Sequence, residues 1–334
     1  MAAAATVALR GGARMPAIGL GVWKIARAAC ADAVYGAIKL GYRCIDSACD
    51  YGNERETGAG IKRAIDEGLV KREELWVTSK IWMTFHDPEH VDAALQRSLD
   101  DLGLEYLDLY LIHFPISLKF VPFETRYPPE WTHDPSAAKP CMEYSDVPLI
   151  ETFRAMRALS GPAARVRHCG VCNMTTGLLA DLSRACSRAG VEPPEVLQIE
   201  CHPYLTQAPL LRFCSDLGVA VTAFSPLGAA SYVELSMATP EQSALADPVI
   251  VAVAARLGCT PAQAVLAWHL RRGVACIPKS SNAARLAENL AAGGVAPRLS
   301  DEDVRAISAL DRHKRFNDPG QFTQGMNSFA PIFD

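Results

Sequence analysis

Eight short runs rich in valine, isoleucine and leucine alternate with helix-like stretches along nearly the whole chain, and this alternation limits the fold more than any other feature. The runs are 17–23, 44–48, 75–81, 108–113, 168–172, 196–201, 220–225 and 275–279, and helices are expected near 27–41, 54–67, 90–102, 148–160, 176–188, 207–217, 245–257 and 283–291. Strands separated by helices make parallel sheets, and eight is the number that closes such a sheet into a barrel. The expected fold class is α/β, a (β/α)8 TIM barrel. A chain of 334 residues could hold two average domains, but one barrel commonly reaches this size, so residues 1–334 are read as a single domain.

Three segments stand outside the repeat. Residues 6–17 read as an N-terminal β-hairpin turning at Gly11-Gly12; the opening MAAAATVALRGGARMP also has the arginines and alanines of a short targeting peptide. The stretch 114–147, after the fourth strand, carries Pro115, Pro122, Pro128, Pro129, Pro135 and Pro140, which a helix interior does not tolerate. It is a long loop, and its aromatics suit packing over the barrel mouth. The tail after His313, ending SFAPIFD, is the third.

In a (β/α)8 barrel the chemistry sits where the strands end at their C-terminal face. Asp46, Lys80, His113, Cys172, Gln198, Ser225 and Lys279 all lie at or close to such ends. Asp46 is a carboxylate on an apolar strand, a costly placement unless an opposite charge or hydrogen bond meets it. Lys80 supplies that charge, and Tyr51 follows five residues beyond Asp46. A phenol titrates near pH ~10, and a close ammonium is expected to lower that value. Tyr51 is then a candidate proton donor to an oxygen gaining negative charge, with Asp46 orienting Lys80 and His113 orienting the oxygen.

Other chemistries find little support. The formal charge is −4, from 33 basic and 37 acidic residues without single-sign blocks, so no nucleic-acid or membrane surface is expected. No apolar run approaches the ~18 residues that span a bilayer. Eleven scattered cysteines indicate reduced thiols and a cytoplasmic protein. Cys169 and Cys172 are three apart on a strand, point to opposite faces, and make no redox or zinc pair. Gly19-Leu-Gly21 and Gly58-Ala-Gly60 lack the third glycine of a dinucleotide fingerprint, and the second pair lies inside an expected helix. Asn173-Met-Thr would be a glycosylation site only in a secreted chain, and His202 reads as a core or supporting residue.

The motifs GYRCIDSACDYGNE, SKIW, LIHFP, CGVCN, LQIECHPY, FSPLG and IPKSS occur in the order and spacing of the aldo-keto reductases. The chain resembles that family from about residue 6 to its end, most closely its aldose and xylose reductase branch, as LIHFPISLKFVPFETRYPPEW and RFNDP indicate. The resemblance implies the catalytic tetrad Asp46, Tyr51, Lys80 and His113, an N-terminal hairpin closing the barrel bottom, and a C-terminal loop over the substrate pocket. It implies NADPH as cofactor. Asn173 and Gln198 match the carboxamide ligands, with Cys172 where the family usually has serine. Phe224 matches the stacking aromatic, and Ser225 to Gly228, including Leu227, the pyrophosphate turn. Lys279, Ser280 and Arg285 match the contacts to the 2'-phosphate; Ser281, Glu288 and Asn289 belong to the same stretch, although Arg285 and Glu288 also suit an exposed helix face. Glu234 matches a ribose-binding glutamate of the xylose enzymes, which leaves NADH open as a second cofactor.

The implied substrate is an open-chain aldose or other small aldehyde, with Trp23, Trp82 and Phe114 as pocket walls and Asp50 and Asn317 meeting sugar hydroxyls. A sugar-phosphate or ketone reductase and a cofactor-binding regulatory protein are the alternatives; Lys119 and Arg126 in the long loop could meet a phosphate but read better as solvated loop charge. The chain is read as a monomer or a homodimer.

Overall fold

A computed structural model describes residues 5–330 together with 332 and 333. Met1 to Ala4 of the alanine-rich opening, and Pro331 and Asp334 of the closing run, lie outside the described residues.

Strands β1 (Thr6–Ala8) and β2 (Arg14–Pro16) form the expected antiparallel hairpin. The barrel strands are β3 (Leu20–Gly21), β4 (Cys44–Asp46), β5 (Trp76–Ile81), β6 (Leu107–Ile112), β7 (Val166–Cys172), β8 (Val196–Glu200), β9 (Ala220–Phe224) and β10 (Val274–Cys276). They pair in parallel in chain order from β3 to β10. Closure follows from the residues before β3: Ile18 bridges Cys276, the Gly19 amide donates to the Cys276 carbonyl at 2.9 Å, and the Cys276 amide donates to Ala17 at 2.9 Å.

The connecting helices are α1 (Arg27–Leu40), α2 (Glu54–Asp66), α3 (Pro88–Leu102), α4 (Leu149–Ala158), α5 (Thr176–Ala189), α6 (Ala208–Leu217), α7 (Pro248–Leu257), α8 (Pro261–Arg271) and α9 (Ala283–Val295). Two short additions follow, α10 (Asp301–Ser308) and α11 (Pro319–Phe322). Helices α8, α10 and α11 are not among the elements expected from the sequence. Helix α8 is buried at six successive positions, Ala264–His269, so its run Ala264–Trp268 is apolar throughout and shows no amphipathic period. Its start was nonetheless legible, because Thr260 and Gln263 form a reciprocal capping box around Pro261. Ser300 and Asp303 do the same for α10.

Two apolar layers hold the barrel. Inside it, Cys44, Leu109, Leu111, Cys172 and Val196 pack together above Leu9 and Met15 of the hairpin region, which plugs the bottom. Between strands and helices lies a larger layer that includes Cys169, whose thiol reaches the Met156 carbonyl. Cys169 and Cys172 therefore face opposite sides of β7, as their spacing implied. The pair Gly58 and Gly60 serves helix packing: a β-carbon on Gly58 would lie 2.1 Å from the Leu102 carbonyl oxygen, and one on Gly60 2.6 Å from that of Ala31. Those approaches let α2 press against α3 and α1.

The long loop 114–147 contains neither helix nor ladder strand, only a bridge between Leu118 and Tyr144. It is packed, as expected. Trp131 meets Trp82, Phe114 and Phe322 edge-on, and Ser328 in the tail accepts the Met142 amide at 2.7 Å. Loop and tail thus cover one end of the mouth together.

Candidate active site

Asp46 closes β4, Lys80 is the penultimate residue of β5, and His113 follows β6 directly. Tyr51 ends a single 3₁₀ turn, Cys49–Tyr51, that leaves β4. Adjacent parallel strands in register bring these ends side by side, so four residues spread over nearly seventy positions meet at one rim. Lys80 has no solvent exposure, and its ammonium donates to Asp46 Oδ1 at 2.6 Å, to the Ser47 carbonyl at 2.7 Å and to the Tyr51 hydroxyl at 3.2 Å. Three donors find three acceptors. The second Asp46 oxygen accepts from Gln198 Nε2 at 2.7 Å, which completes the carboxylate.

Burial opposes the charge on Lys80, but Asp46 and the neighbouring Tyr51 outweigh it and hold the ammonium's pKa above the ordinary lysine value. For Tyr51 the balance differs from expectation. Burial raises its pKa above the usual phenol value, and the Lys80 ammonium offsets only part of that rise. The expected lowering is thus corrected, because desolvation of a phenolate outweighs one nearby cation that Asp46 already neutralises. The consequence favours a proton donor, since Tyr51 keeps its proton.

The His113 ring meets Tyr51 and Trp82 edge-on, with centroids 5.7 and 5.4 Å away, and stacks on Phe114 at 5.0 Å. Its Nδ1 lies 2.9 Å from Asp50 Oδ1, off the hydrogen-bond axis, so both atoms remain without a hydrogen-bond partner. Asn173, at φ 57°, donates to the His113 carbonyl at 2.8 Å while its Oδ1 is buried and unpartnered.

Asp46, Tyr51, His113, Asn173 and Gln198 open onto a cavity of about 810 Å³. Trp23, Asp50, Trp82, Phe114 and Asn317 line it, as do Asn173, Gln198, Phe224, Ser225 and Leu227. Glu234, Lys279, Ser280, Arg285, Glu288 and Asn289 belong to the same lining. Three expected residues do not line it: Lys80, wholly buried against Asp46 and Tyr51, together with Cys172 and Ser281. Cys172 belongs to the apolar cluster beneath the floor, with burial raising its thiol pKa, and Ser281 turns out to solvent. Glu288 is half-buried and accepts from Thr260 Oγ1 at 2.6 Å, so it is not a free surface charge.

Several lining residues escaped the sequence reading. Lys24 pairs with Glu234 at 2.5 Å and donates to the Ser231 carbonyl, a bridge across the end of β10. Glu234 is therefore already engaged by a cation. Tyr232 is wholly buried, shares a 2.8 Å hydrogen bond with Ser225 and stacks on Phe316. Trp131, Phe322 and Met326 come from loop and tail. Only Tyr232, an aromatic seven residues past Ser225, had a local signal; the rest depend on chain folding. Lys119 pairs with Glu143 at 2.8 Å and Arg126 donates to the Thr132 carbonyl, which occupies both cations once considered for a phosphate.

The cavity's chemistry suits a nicotinamide dinucleotide. An orphaned amide oxygen on Asn173 seeks a donor, Phe224 offers an aromatic face, and Lys279 and Arg285 are exposed cations beside the N-terminus of α9. A helix start flanked by two cations favours a phosphate.

The aldo/keto reductase family model matches residues 17–312. Similar proteins include a probable NAD(P)H-dependent D-xylose reductase of Arthroderma otae, 48% identical over 99% of this chain and 97% of that protein. An NADPH-dependent D-xylose reductase of Meyerozyma guilliermondii is 46% identical over 94% of this chain and 96% of its own length. The NAD(P)H-dependent D-xylose reductase I,II of Candida tropicalis is 45% identical over 94% of each. With its barrel, its rim of four polar residues and these similarities, the chain belongs to the aldo/keto reductase family.

Proposed function

We propose that the protein reduces an open-chain aldose, xylose or a close relative, to its alditol with NADPH, and accepts NADH as a second cofactor. The observation that carries this reading is Tyr51 held protonated at 3.2 Å from a buried, Asp46-paired Lys80 beside His113. The nicotinamide cofactor supplies the hydride when bound. Tyr51 then gives its proton to the carbonyl oxygen, and the Lys80 ammonium stabilises the phenolate left behind. Asp46, fixed by Gln198, keeps that ammonium aimed. His113 holds the oxygen within the apolar walls of Trp82 and Phe114, which exclude water.

Asn173, Gln198, Phe224 and the Ser225–Gly228 turn are read as cofactor ligands, and Lys279, Ser280 and Arg285 as the grip on the 2'-phosphate. Asp50 and Asn317, both with unpartnered buried oxygens on the cavity, are read as acceptors for sugar hydroxyls. The naming of similar proteins as xylose reductases supports the substrate class.

We further read the chain as one domain acting in the cytoplasm on a small molecule. All eleven cysteines are free, and no single helix among the described residues is long and apolar enough to cross a membrane. Consumption of NADPH and NADH with xylose, a sugar phosphate and benzaldehyde tests the proposal. Xylose with NADPH should give the highest kcat/KM among the sugars; a clear preference for the phosphorylated sugar would contradict it.

A further inference from the structure

Glu200 ends β8 with its carboxylate wholly buried, and what it binds is the tail. Oε1 accepts the Phe316 amide at 2.8 Å and Oε2 the Asn317 amide at 2.9 Å, while His202 Nε2 lies 2.9 Å from Oε1. Two successive backbone amides on the two oxygens of one carboxylate fix both position and direction of the chain there. The residue so fixed, Asn317, presents a buried and unpartnered Oδ1 to the cavity.

The same cluster touches the other half of the site. A β-carbon on Gly228 would lie 3.6 Å from the His202 ring, so the imidazole backs the Ser225–Gly228 turn. Phe316 stacks on Tyr232 at 5.7 Å, and Tyr232 is hydrogen-bonded to Ser225. We propose that Glu200 is a positioning residue for sugar recognition: by holding the Phe316 and Asn317 amides it aims Asn317 at a substrate hydroxyl and ties that wall to the turn beneath the cofactor. This rests on the reading of Asn317 as a sugar contact. Burial alone would raise the pKa of Glu200, but His202 and the Phe316 amide hold it below the ordinary value, so the acceptor remains an anion.

Glu200→Gln keeps the shape but replaces one accepting oxygen by an NH2 group, which cannot accept an amide proton. In NADPH-saturated enzyme, E200Q should raise the KM for xylose by about threefold to tenfold, the scale of one lost neutral hydrogen bond between Asn317 and a sugar hydroxyl. The KM for benzaldehyde, which has no hydroxyl to recognise, should stay within about twofold. The amides of residues 316 and 317 should exchange with deuterium faster than in the parent. Once Asn317→Ala has been made, adding E200Q should leave the xylose to benzaldehyde ratio unchanged. Equal losses on both substrates, or full additivity in the double variant, would overturn the proposal. If N317A alone leaves the ratio unchanged, the sugar reading itself fails and the inference with it. Should E200Q not fold, Glu200→Asp withdraws the carboxylate by one methylene and is held to the same outcomes.

Discussion

The Lys80 ammonium lies 2.6 Å from Asp46 and 3.2 Å from the Tyr51 hydroxyl, so one buried cation is shared between a carboxylate and a phenol. The pair explains why an apolar strand carries a carboxylate, and in the proposed mechanism it lets Tyr51 give up a proton that burial otherwise holds on it.

Lys80→Met separates these roles. It leaves Asp46 buried without its cation, which should cost about 3–5 kcal/mol of stability, read in a denaturant titration. Turnover should fall by about 10²–10⁴-fold, the range of a lost general-acid contribution. Adding Asp46→Asn to K80M should recover much of the stability and none of the rate.

Arg285 is exposed on the cavity wall at the start of α9. Arg285→Ala should weaken NADPH by about tenfold to a hundredfold, as expected for charge-assisted hydrogen bonds worth ~1.5–3 kcal/mol. NADH, which has no 2'-phosphate, should change by less than about threefold. Cofactor titrations by protein fluorescence distinguish the two; equal losses would show that Arg285 does not read the 2'-phosphate.

Glu54, the first residue of α2, is buried against Ser79 at 2.6 Å and Ser98 at 3.1 Å. Burial raises its pKa from 4.5 to about 7. A carboxyl whose folded value is raised contributes stability fully below pH 4.5 and loses it as pH climbs through about 7. Glu54→Gln should therefore change little near pH 4 and stabilise the protein near pH 8, with the two conditions differing by about 3 kcal/mol. Thermal unfolding at both pH values checks this; a gain confined to acid would reverse the sign and refute it.

Much of this site could be read before folding because a barrel places chemistry by strand register. Asp46, Lys80 and His113 sit at or just beyond strand ends, a purely local property, and β4, β5 and β6 align those ends. What stayed illegible depends on distant chain segments meeting. The Lys24 bridge to Glu234 joins the residues after β3 to the loop after β9, and Trp131 reaches Trp82 and Phe322 only when loop 114–147 folds back. Cys172 lies off the cavity for a subtler reason. It ends β7, but its side chain points into the apolar barrel interior, while Asn173, turned by a positive φ, faces the cavity. The Tyr51 shift was misjudged because a nearby lysine can be seen in a motif, whereas the depth of burial cannot.

The most direct measurement is the turnover of Tyr51→Phe with xylose, taken alongside its affinity for NADPH. The variant should lose about 10²–10⁴-fold in kcat, as removal of the proton donor requires, while binding NADPH within about twofold of the parent. Retained turnover with unchanged cofactor binding would contradict the assignment of Tyr51 as the donor.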